Sequence, residues 1–344
     1  MSKPVILTGL RANGELHLGN YLGGILPIVQ LQKQHAGDYQ INMFVPDLHS
    51  FTTPVDHSKL YLNIIQNLKL FVASGLDIKN DDTFLYRQSY VAAHSELTWI
   101  LDCFTYFGEL NRMTEFKDKA HRLGNESISV GLFNYPALMA ADILLYGARY
   151  IPVGDDQRQH LELIRDIALR MNNKFERELF VVPAEWSDQV AFSDRDAGVR
   201  IKSLRNPSKK MSKSIDDPAG TILLTDEPES AVKKIMGAET DSLGVIHYDI
   251  EKQPGVSNLL QILALLIDQP LRHVADTWDG KTGYGDLKKA VAAEVKVFLR
   301  DFQTKLKAVE EAELMRKLES SELLMREVAA QRLYKIQQAV GLRP

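Results

Sequence analysis

Short apolar runs alternate with longer amphipathic runs through the first half of the chain. The short runs are rich in β-branched residues and fit buried strands, whereas the longer runs carry helical periodicity. In chain order, the strand-like runs are PVILTG, YQINMFVPD, DTFLYRQS and RYIPVG. Such alternation is typical of a parallel sheet covered by helices on both faces. We therefore expect an α/β fold with a Rossmann-like, doubly wound parallel sheet that extends to about residue 200.

The remaining segments predict helices. In the first half these are ELTWILDCFTYFGELNRMTEF as one helix, then GLFNYPALMAADILLYG and DDQRQHLELIRDIALRMNNKF. From SAVKKIMGAET onward almost no strand signal remains, and the runs NLLQILALLIDQPL, GDLKK to LMRKL (285–318) and LLMREVAAQRLYKIQQAVG are all helical. The sequence thus predicts two domains, an α/β domain over residues 1–215 and an all-helical domain over residues 216–344.

Composition excludes several classes of protein. With 344 residues, 45% of them hydrophobic and 25% charged, the chain is ordinary globular material. No apolar stretch approaches the ~18 residues that a membrane span requires, so we expect a soluble cytoplasmic protein. Cys103 is the one cysteine, which excludes an internal disulfide, and we expect it to be buried. Because the net charge is -4, a nucleic-acid partner must be held by local basic patches.

A glycine-rich turn follows the first strand, in TGLRANGELHLGN. It lies where a strand passes into a helix at the carboxyl edge of a parallel sheet, which is where ligands bind in such folds. Gly19 lets a ligand lie close to the start of the helix, whose free N–H groups attract phosphate. His17 can donate to a phosphate oxygen. A strand, a glycine turn and a helix occur in any doubly wound protein, so this motif alone does not establish a nucleotide site.

A second motif, Lys210-Met211-Ser212-Lys213-Ser214, lies about two hundred residues later in a hydrophilic loop. Two lysines and two hydroxyls suit a phosphate tail whose charge grows as a bond to the α-phosphorus breaks. The alternative is a solvated lysine loop without a ligand. The presence of both motifs, in this order, favours the phosphate site.

The two motifs together resemble the paired HIGH and KMSKS signatures of the class I aminoacyl-tRNA synthetases. His17-Leu18-Gly19-Asn20 is similar to the first signature, and residues 210–214 match the second outright. Further segments resemble the bacterial-type tryptophanyl-tRNA synthetases, namely GELNRMTEFKDK, YPALMAADILLY, VGDDQRQHLELIRDIA and YDIEKQPGVSNLL. The resemblance covers nearly the whole chain.

The resemblance implies a reaction and its residues. Tryptophan and ATP would form tryptophanyl-adenylate, which is then transferred to tRNA(Trp), and Lys210, Lys213 and His17 would be the catalytic residues. The implied ATP-binding residues are Arg11, Ala12, Asn13, Gly19, Asn20, Gly154, Asp155, Asp156, Ile201, Lys210, Met211, Ser212, Lys213 and Ser214. The implied tryptophan-binding residues are Asp142, Tyr135, Met139, Gln157, Gly9 and His49. We expect Mg²⁺ to be carried on the phosphates of ATP, with no metal site in the protein.

Asp142 can be interpreted in two ways from its surroundings. Tyr135, Met139 and Asp142 share one helical face, and apolar residues flank the carboxylate. A carboxylate in such surroundings is costly unless it accepts hydrogen bonds. It is either satisfied by a nearby N–H group or salt bridge, or it is an acceptor for the indole N–H of the substrate, as the resemblance implies. Tyrosine could satisfy the same acceptor through its hydroxyl, so its rejection must depend on the shape of the pocket.

Two further expectations concern the segment VGDDQRQH. At least one of Asp155 and Asp156 is expected to cap the helix that follows. His160 is expected to make a supporting hydrogen bond and to have no catalytic role.

The chain also departs from its relatives. Arg11-Ala12-Asn13 replaces the usual Gln-Pro-Ser, which adds a positive charge near the phosphates, and Leu48 replaces a glutamine beside His49.

Other functions remain open at this level. A tyrosine-specific relative would be expected to carry an additional carboxy-terminal RNA-binding module, for which 344 residues leave no room. A small-molecule nucleotidyltransferase would not need the long helical region. A non-ligating paralogue could act as a binding or regulatory protein. The resemblance also implies a homodimer that binds one RNA across both subunits, without membrane association.

Overall fold

A four-stranded parallel sheet forms the centre of the fold. The computed structural model describes residues 3–10, 16–123, 128–193, 200–212 and 217–344. The strands are β1 (Val5–Gly9), β2 (Gln40–Val45), β3 (Thr83–Arg87) and β4 (Ala148–Tyr150), in the spatial order β3-β2-β1-β4. All pairs are parallel, with Val5 opposite Gln40 and Ile41 opposite Thr83. The predicted Rossmann-like α/β fold is therefore confirmed.

The fourth strand is shorter than predicted. It pairs with β1 over Ala148–Tyr150 only, and its register shifts between Val5 and Ile6. Pro152 follows two residues later and has no N–H to donate to a neighbouring strand. Among the described residues the sheet ends at residue 150, so the expectation that it extends to about residue 200 is wrong.

Helices surround the sheet and make up most of the rest of the chain. A π-helical turn, Tyr21–Ile25, joins the first two, and Pro27 at the start of the second removes an N–H group there. The helices are α1 (Leu18–Asn20), α2 (Leu26–His35), α3 (Leu60–Ala73), α4 (Ala93–Asp102), α5 (Phe107–Asn111), α6 (Thr114–Leu123), α7 (Val130–Leu144), α8 (Arg158–Lys174), α9 (Trp186–Ser193), α10 (Pro228–Met236), α11 (Pro254–Leu266), α12 (Leu271–Trp278), α13 (Tyr284–Ala308) and α14 (Glu311–Ala339).

Two predicted helical segments are divided differently. The segment expected as one helix over residues 96–116 forms parts of α4, α5 and α6, because the Glu109 carboxylate accepts from the Tyr106 N–H at 2.9 Å and starts a new helix there. The segment 285–318 is interrupted at Val309 and Glu310, and α14 then continues without a break through residue 323. Cys103 follows α4 with an exposed side chain, so the expectation that it is buried is wrong.

The carboxy-terminal helices share apolar cores with the sheet. Side chains of α14, including Met325 and Leu333, pack in one cluster with Tyr86 of β3 and Leu144 of α7. A second cluster joins Phe302 of α13 to the strands. The predicted domain boundary at residue 215 lies outside the described residues and stays a prediction.

In the part of the chain that the structure describes, no helix is both long enough and apolar enough to cross a membrane.

Candidate functional site

The carboxyl ends of the four strands bring several predicted residues to one edge of the sheet. Gly9 ends β1, and His49 lies in the short 3₁₀ turn that follows β2. Gln88 comes directly after β3, and Gly154 lies beyond β4. This edge is where open parallel sheets bind their ligands.

Asp142 of α7 is fully buried at this edge and accepts three hydrogen bonds. Its Oδ1 accepts from Gln88 Nε2 at 2.7 Å and lies 2.6 Å from His94 Nδ1, while its Oδ2 lies 2.9 Å from His49 Nε2. A carboxylate offers about four acceptor positions. Described residues fill two positions on Oδ1 and one on Oδ2, so among them one acceptor position on Oδ2 has no donor. The first interpretation of Asp142, a carboxylate satisfied by its neighbours, is therefore confirmed, and the second, an acceptor for the indole N–H of the substrate, stays a prediction.

The network keeps this carboxylate ionised. Burial by itself would raise the pKa of Asp142, but the hydrogen bonds and charges of His49 and His94 outweigh it and lower that pKa to about 2. Asp142 is consequently a negatively charged acceptor throughout the physiological pH range. Because it is charged, it accepts a stronger hydrogen bond than a neutral carbonyl or hydroxyl oxygen would.

Gln88 and His94 are the parts of this network that the sequence interpretation missed. Gln88 follows β3 as directly as His49 follows β2, so the argument from the sheet edge could have found it. Its own orientation is set because its Oε1 accepts from the Leu48 N–H at 3.1 Å, which turns its amide nitrogen toward Asp142. This bond uses the backbone of residue 48, so the replacement of the family's glutamine by leucine leaves it intact. His94 carries no comparable signal, since it lies inside a helical run.

His94 is held on its other side as well. Its Nε2 lies 3.0 Å from the hydroxyl of Tyr146, and both side chains are buried. Burial raises the pKa of Tyr146, so its hydroxyl stays protonated. The imidazole is thus fixed between a carboxylate and a phenol.

Tyr135 forms another wall of the same region. Its hydroxyl lies 2.7 Å from His160 Nε2, and its ring lies edge-on to His49 with 6.2 Å between centroids. The expected supporting hydrogen bond of His160 is therefore confirmed. Burial first, and then repulsion from Lys119, lower the pKa of His160 to about 4, so this imidazole is neutral at physiological pH. Its Nδ1 is buried without a hydrogen-bond partner among the described residues.

The segment after β4 does not contain the expected helix cap. Residues Asp155–Gln157 form a 3₁₀ turn that begins after Gly154, and Gln157 precedes α8 without a capping hydrogen bond from its side chain. The Asp156 carboxylate instead accepts from Gln157 Nε2 at 3.0 Å. The expectation that Asp155 or Asp156 caps the helix is wrong. Both carboxylates are exposed at the same edge of the sheet, available to a ligand.

The first motif starts α1 through its histidine. His17 is buried, its Nδ1 accepts from the Asn20 N–H at 3.2 Å, and Asn20 Oδ1 accepts from the His17 N–H at 3.2 Å. Since Nδ1 is an acceptor here, a neutral imidazole carries its proton on Nε2. A Cβ atom on Gly19 would lie 3.1 Å from His17 Nδ1 and 3.4 Å from Ile201 Cβ. Glycine therefore permits this close packing.

Packing brings the second motif to the first, and backbone pairing fixes each motif to a neighbouring segment. The Leu18 N–H donates to the Ile222 carbonyl at 2.8 Å, and the Met211 N–H donates to the Ile201 carbonyl at 3.0 Å. The Met211 side chain is buried in one cluster with Leu18, Leu22 and Ile201. Lys210 pairs with Lys202 across the chain reversal, and its side chain is exposed. The structure thus joins both motifs over a separation of about 190 residues.

The structure brings several of the predicted residues together in two groups. One surrounds Asp142, with His49 and Tyr135, and Met139 lies one helical turn before Asp142. The other joins His17, Gly19, Ile201 and Met211. Arg11, Ala12, Asn13, Lys213 and Ser214 lie outside the described residues.

Comparisons with known proteins show the family to which the chain belongs. Residues 1–300 match the family described as tRNA synthetases class I (W and Y). The tryptophan–tRNA ligase of Caldanaerobacter subterraneus is 45% identical over 337 residues, which cover 98% of both chains. The crystal structure of tryptophanyl-tRNA synthetase from Mycoplasma pneumoniae superposes with a TM-score of 0.82 at 34% identity, covering 99% of this chain and 98% of that one. The Campylobacter jejuni enzyme complexed with ADP and tryptophan superposes with a TM-score of 0.75 at 31% identity, covering 98% and 100%.

Proposed function

We propose, from the premise that this chain belongs to the class I tRNA synthetases (W and Y), that it activates tryptophan with ATP and transfers it to tRNA(Trp). The enzyme is an aminoacyl-tRNA synthetase of the tryptophan–tRNA ligase type. Its relatives with that activity match nearly the full length of the chain.

Asp142 is the observation that carries the choice of tryptophan. It is a buried, ionised carboxylate with one acceptor position left on Oδ2, and the indole ring of tryptophan offers one N–H donor. Phenylalanine has no donor for this position, and a buried acceptor left unpaired by the wrong ligand supports discrimination of ~10⁴ or more. His49, Tyr135, Met139, Gln157 and Gly9 complete the proposed tryptophan site.

ATP is proposed to bind at the other group of residues. Gly19 and Asn20, at the start of α1, are proposed to lie against the phosphates. The Asn20 N–H already donates to His17 Nδ1, so the Gly19 N–H is the proposed backbone donor, and His17 donates from Nε2. Ile201 contacts adenine, and Gly154, Asp155 and Asp156 lie where the ribose binds. The contact of Gly19 with both His17 and Ile201 supports this assignment, because it brings residues of the first motif together with the proposed adenine-binding residue.

The first reaction step requires no protein nucleophile. A carboxylate oxygen of tryptophan attacks the α-phosphorus, the bond to the bridging oxygen breaks, and pyrophosphate leaves with the electron pair. The protein supplies alignment and charge, with Lys210 and Lys213 stabilising the leaving pyrophosphate. We place Mg²⁺ on the phosphate oxygens, as is usual for a cation that keeps several of its waters. In the second step a hydroxyl of the terminal ribose of the RNA attacks the acyl carbon and AMP leaves.

We propose that the carboxy-terminal helices, residues 216–344, bind the anticodon of the RNA. We also propose that the enzyme works in the cytoplasm and that it is a homodimer. Two exposed aromatic side chains support the dimer: Trp99 and Phe107 are each 72% exposed on α4 and α5, and both helices pack against α7. We propose that they lie on one apolar surface that a second copy of the chain covers. Sedimentation of the Trp99→Asp variant should show a monomer if this surface is the interface.

The exchange of labelled pyrophosphate into ATP tests the activation step, with tryptophan, tyrosine and phenylalanine as parallel substrates. We expect exchange with tryptophan alone and its loss in Asp142→Ala. Exchange with tyrosine would reassign the substrate. No exchange with any of the three would point to a binding or regulatory paralogue. Aminoacylation of tRNA(Trp) then tests the second step.

A further inference from the structure

The last helix, α14, covers the free edge of the sheet at β3. The backbone N–H of Leu85 donates to Ser321 Oγ at 3.2 Å, and the backbone N–H of Arg87 donates to Glu322 Oε1 at 3.2 Å. Both acceptors are side chains of α14. They satisfy donors that a further strand would otherwise pair, so α14 ends the sheet and holds the end of β3.

A buried ion pair strengthens this contact. Arg87 Nε donates to Glu322 Oε1 at 2.6 Å and Nη2 donates to Oε2 at 2.9 Å, in the two-point geometry that suits guanidinium and carboxylate. Both side chains are almost completely buried. The guanidinium also lies over the ring of Tyr90 at 3.5 Å. Removal of one partner would leave an uncompensated buried charge, so the two side chains must stay paired, and this fixes where the end of β3 meets α14.

The residue next to Arg87 is Gln88, which donates to Asp142 Oδ1. The other donor to that oxygen, His94, lies on α4, and α14 holds this helix too, because Gln337 donates to the Glu96 carboxylate. Residues of α14, α4 and α7 also pack in one apolar cluster, including Met325, Ala329, Leu333, Leu97, Leu101 and Ala141. Both donors to Oδ1 are therefore carried by segments that α14 holds.

We infer that Glu322 and Arg87 are positioning residues for the amino-acid site: their ion pair fixes the end of β3, so that Gln88 holds Asp142 in place to accept from the indole N–H. The inference rests on the proposed function, since it concerns the affinity for tryptophan. It assigns a role at the amino-acid site to Glu322 of α14, which lies 235 residues beyond Arg87 along the chain.

Loss of the ion pair should change the KM for tryptophan and leave the KM for ATP unchanged. His17, Gly19, Ile201 and Met211 are held by their own hydrogen bonds and by a different apolar cluster, which contains no residue of α14 among the described residues. A change at Glu322 therefore reaches Asp142 without passing through the proposed ATP site. A loss of overall stability would instead affect both substrates.

Glu322→Gln is the test, because it removes the charge and keeps the shape. In pyrophosphate exchange we expect the KM for tryptophan to rise roughly tenfold, as when a supporting hydrogen-bond partner of a binding group is lost. The KM for ATP and kcat should not change. Glu229→Gln is the matched control, since it removes a glutamate whose exposed ion pairs with Lys296 and Arg300 lie far from this edge. It should leave both KM values unchanged.

A double variant covers the case in which Glu322→Gln does not fold. Arg87→Met combined with Glu322→Leu replaces the ion pair with an apolar pair, an exchange that buried ion pairs often tolerate. We expect this variant to fold, as measured by thermal unfolding, and still to show the raised KM for tryptophan. A folded variant with the wild-type KM for tryptophan, or an equal rise of both KM values, would overturn the inference. Absence of tryptophan-dependent exchange in the wild type would instead overturn the proposed function, and the inference with it.

Discussion

Replacement of Asp142 by asparagine isolates its proposed contact with the substrate. The asparagine oxygen can take the place of Oδ1, because Gln88 and His94 both donate to that position. The amide nitrogen then takes the place of Oδ2, where it faces the open acceptor position and also His49 Nε2, which lies 2.9 Å from Oδ2 and must accept instead of donate in the variant. The variant therefore keeps the shape of the site and presents a donor to the indole N–H.

The structure bounds the size of the effect. A hydrogen bond to a charged group contributes ~1.5–3 kcal/mol. At ~1.4 kcal/mol per factor of ten, the dissociation constant for tryptophan should rise about 10- to 150-fold. The affinity for ATP should be unchanged, because the proposed ATP site shares no hydrogen bond with Asp142 among the described residues.

A double-mutant cycle with a modified substrate gives the most direct assay. The second change is an analogue of tryptophan in which sulfur replaces the indole N–H. Calorimetric titration of both amino acids against the wild type and Asp142→Asn yields their coupling free energy. We expect ~1.5–3 kcal/mol, with the wild type preferring tryptophan and the variant showing little preference.

A coupling near zero in a folded variant would refute the assignment of Asp142 as the indole acceptor. Asp102→Asn serves as the matched control. Asp102 accepts from Asn134 at 2.9 Å and has no contact with the Asp142 network among the described residues. Its replacement should leave the preference for tryptophan intact.

Three further predictions concern stability and the ATP site. Burial lowers the pKa of His160 from 6.5 to about 4, so the unfolded chain binds a proton at this residue more readily than the folded protein does. The free energy of unfolding should therefore fall by about 3 kcal/mol as pH decreases from 6.5 to 4. Denaturant unfolding at several pH values should show that the free energy of unfolding depends less steeply on pH in His160→Gln than in the wild type. Gly19→Ala should raise the KM for ATP, whereas Gly24→Ala, where no atom lies within 4 Å of the added Cβ, should not. Met211→Ala should cost ~2–5 kcal/mol of stability in denaturant unfolding and slow pyrophosphate exchange. Met236→Ala, at a side chain 38% exposed, should do neither. An unchanged pH dependence in His160→Gln, an unchanged KM for ATP in Gly19→Ala, or an unchanged stability in Met211→Ala would contradict the role given to that residue.

The sequence by itself determined the strands, their parallel arrangement and the two signature motifs. The alternation of strand and helix patterns depends on residues that are close together in the sequence. It predicts that the carboxyl ends of the strands lie at one edge of the sheet. The family resemblance implied His49 and Gly154 as site residues, and the structure places both beyond the ends of strands at this edge. The apolar surroundings of Asp142 along its helix likewise predicted that it needs hydrogen-bond donors.

Only the tertiary structure decided which donors Asp142 receives and what holds them. Gln88 and His94 are 54 and 48 residues from Asp142, and Glu322 is 235 residues from Arg87. No periodicity within a segment encodes such pairs. They depend on how α14 packs against the sheet, and that packing is set by apolar contacts and buried charges between distant parts of the chain.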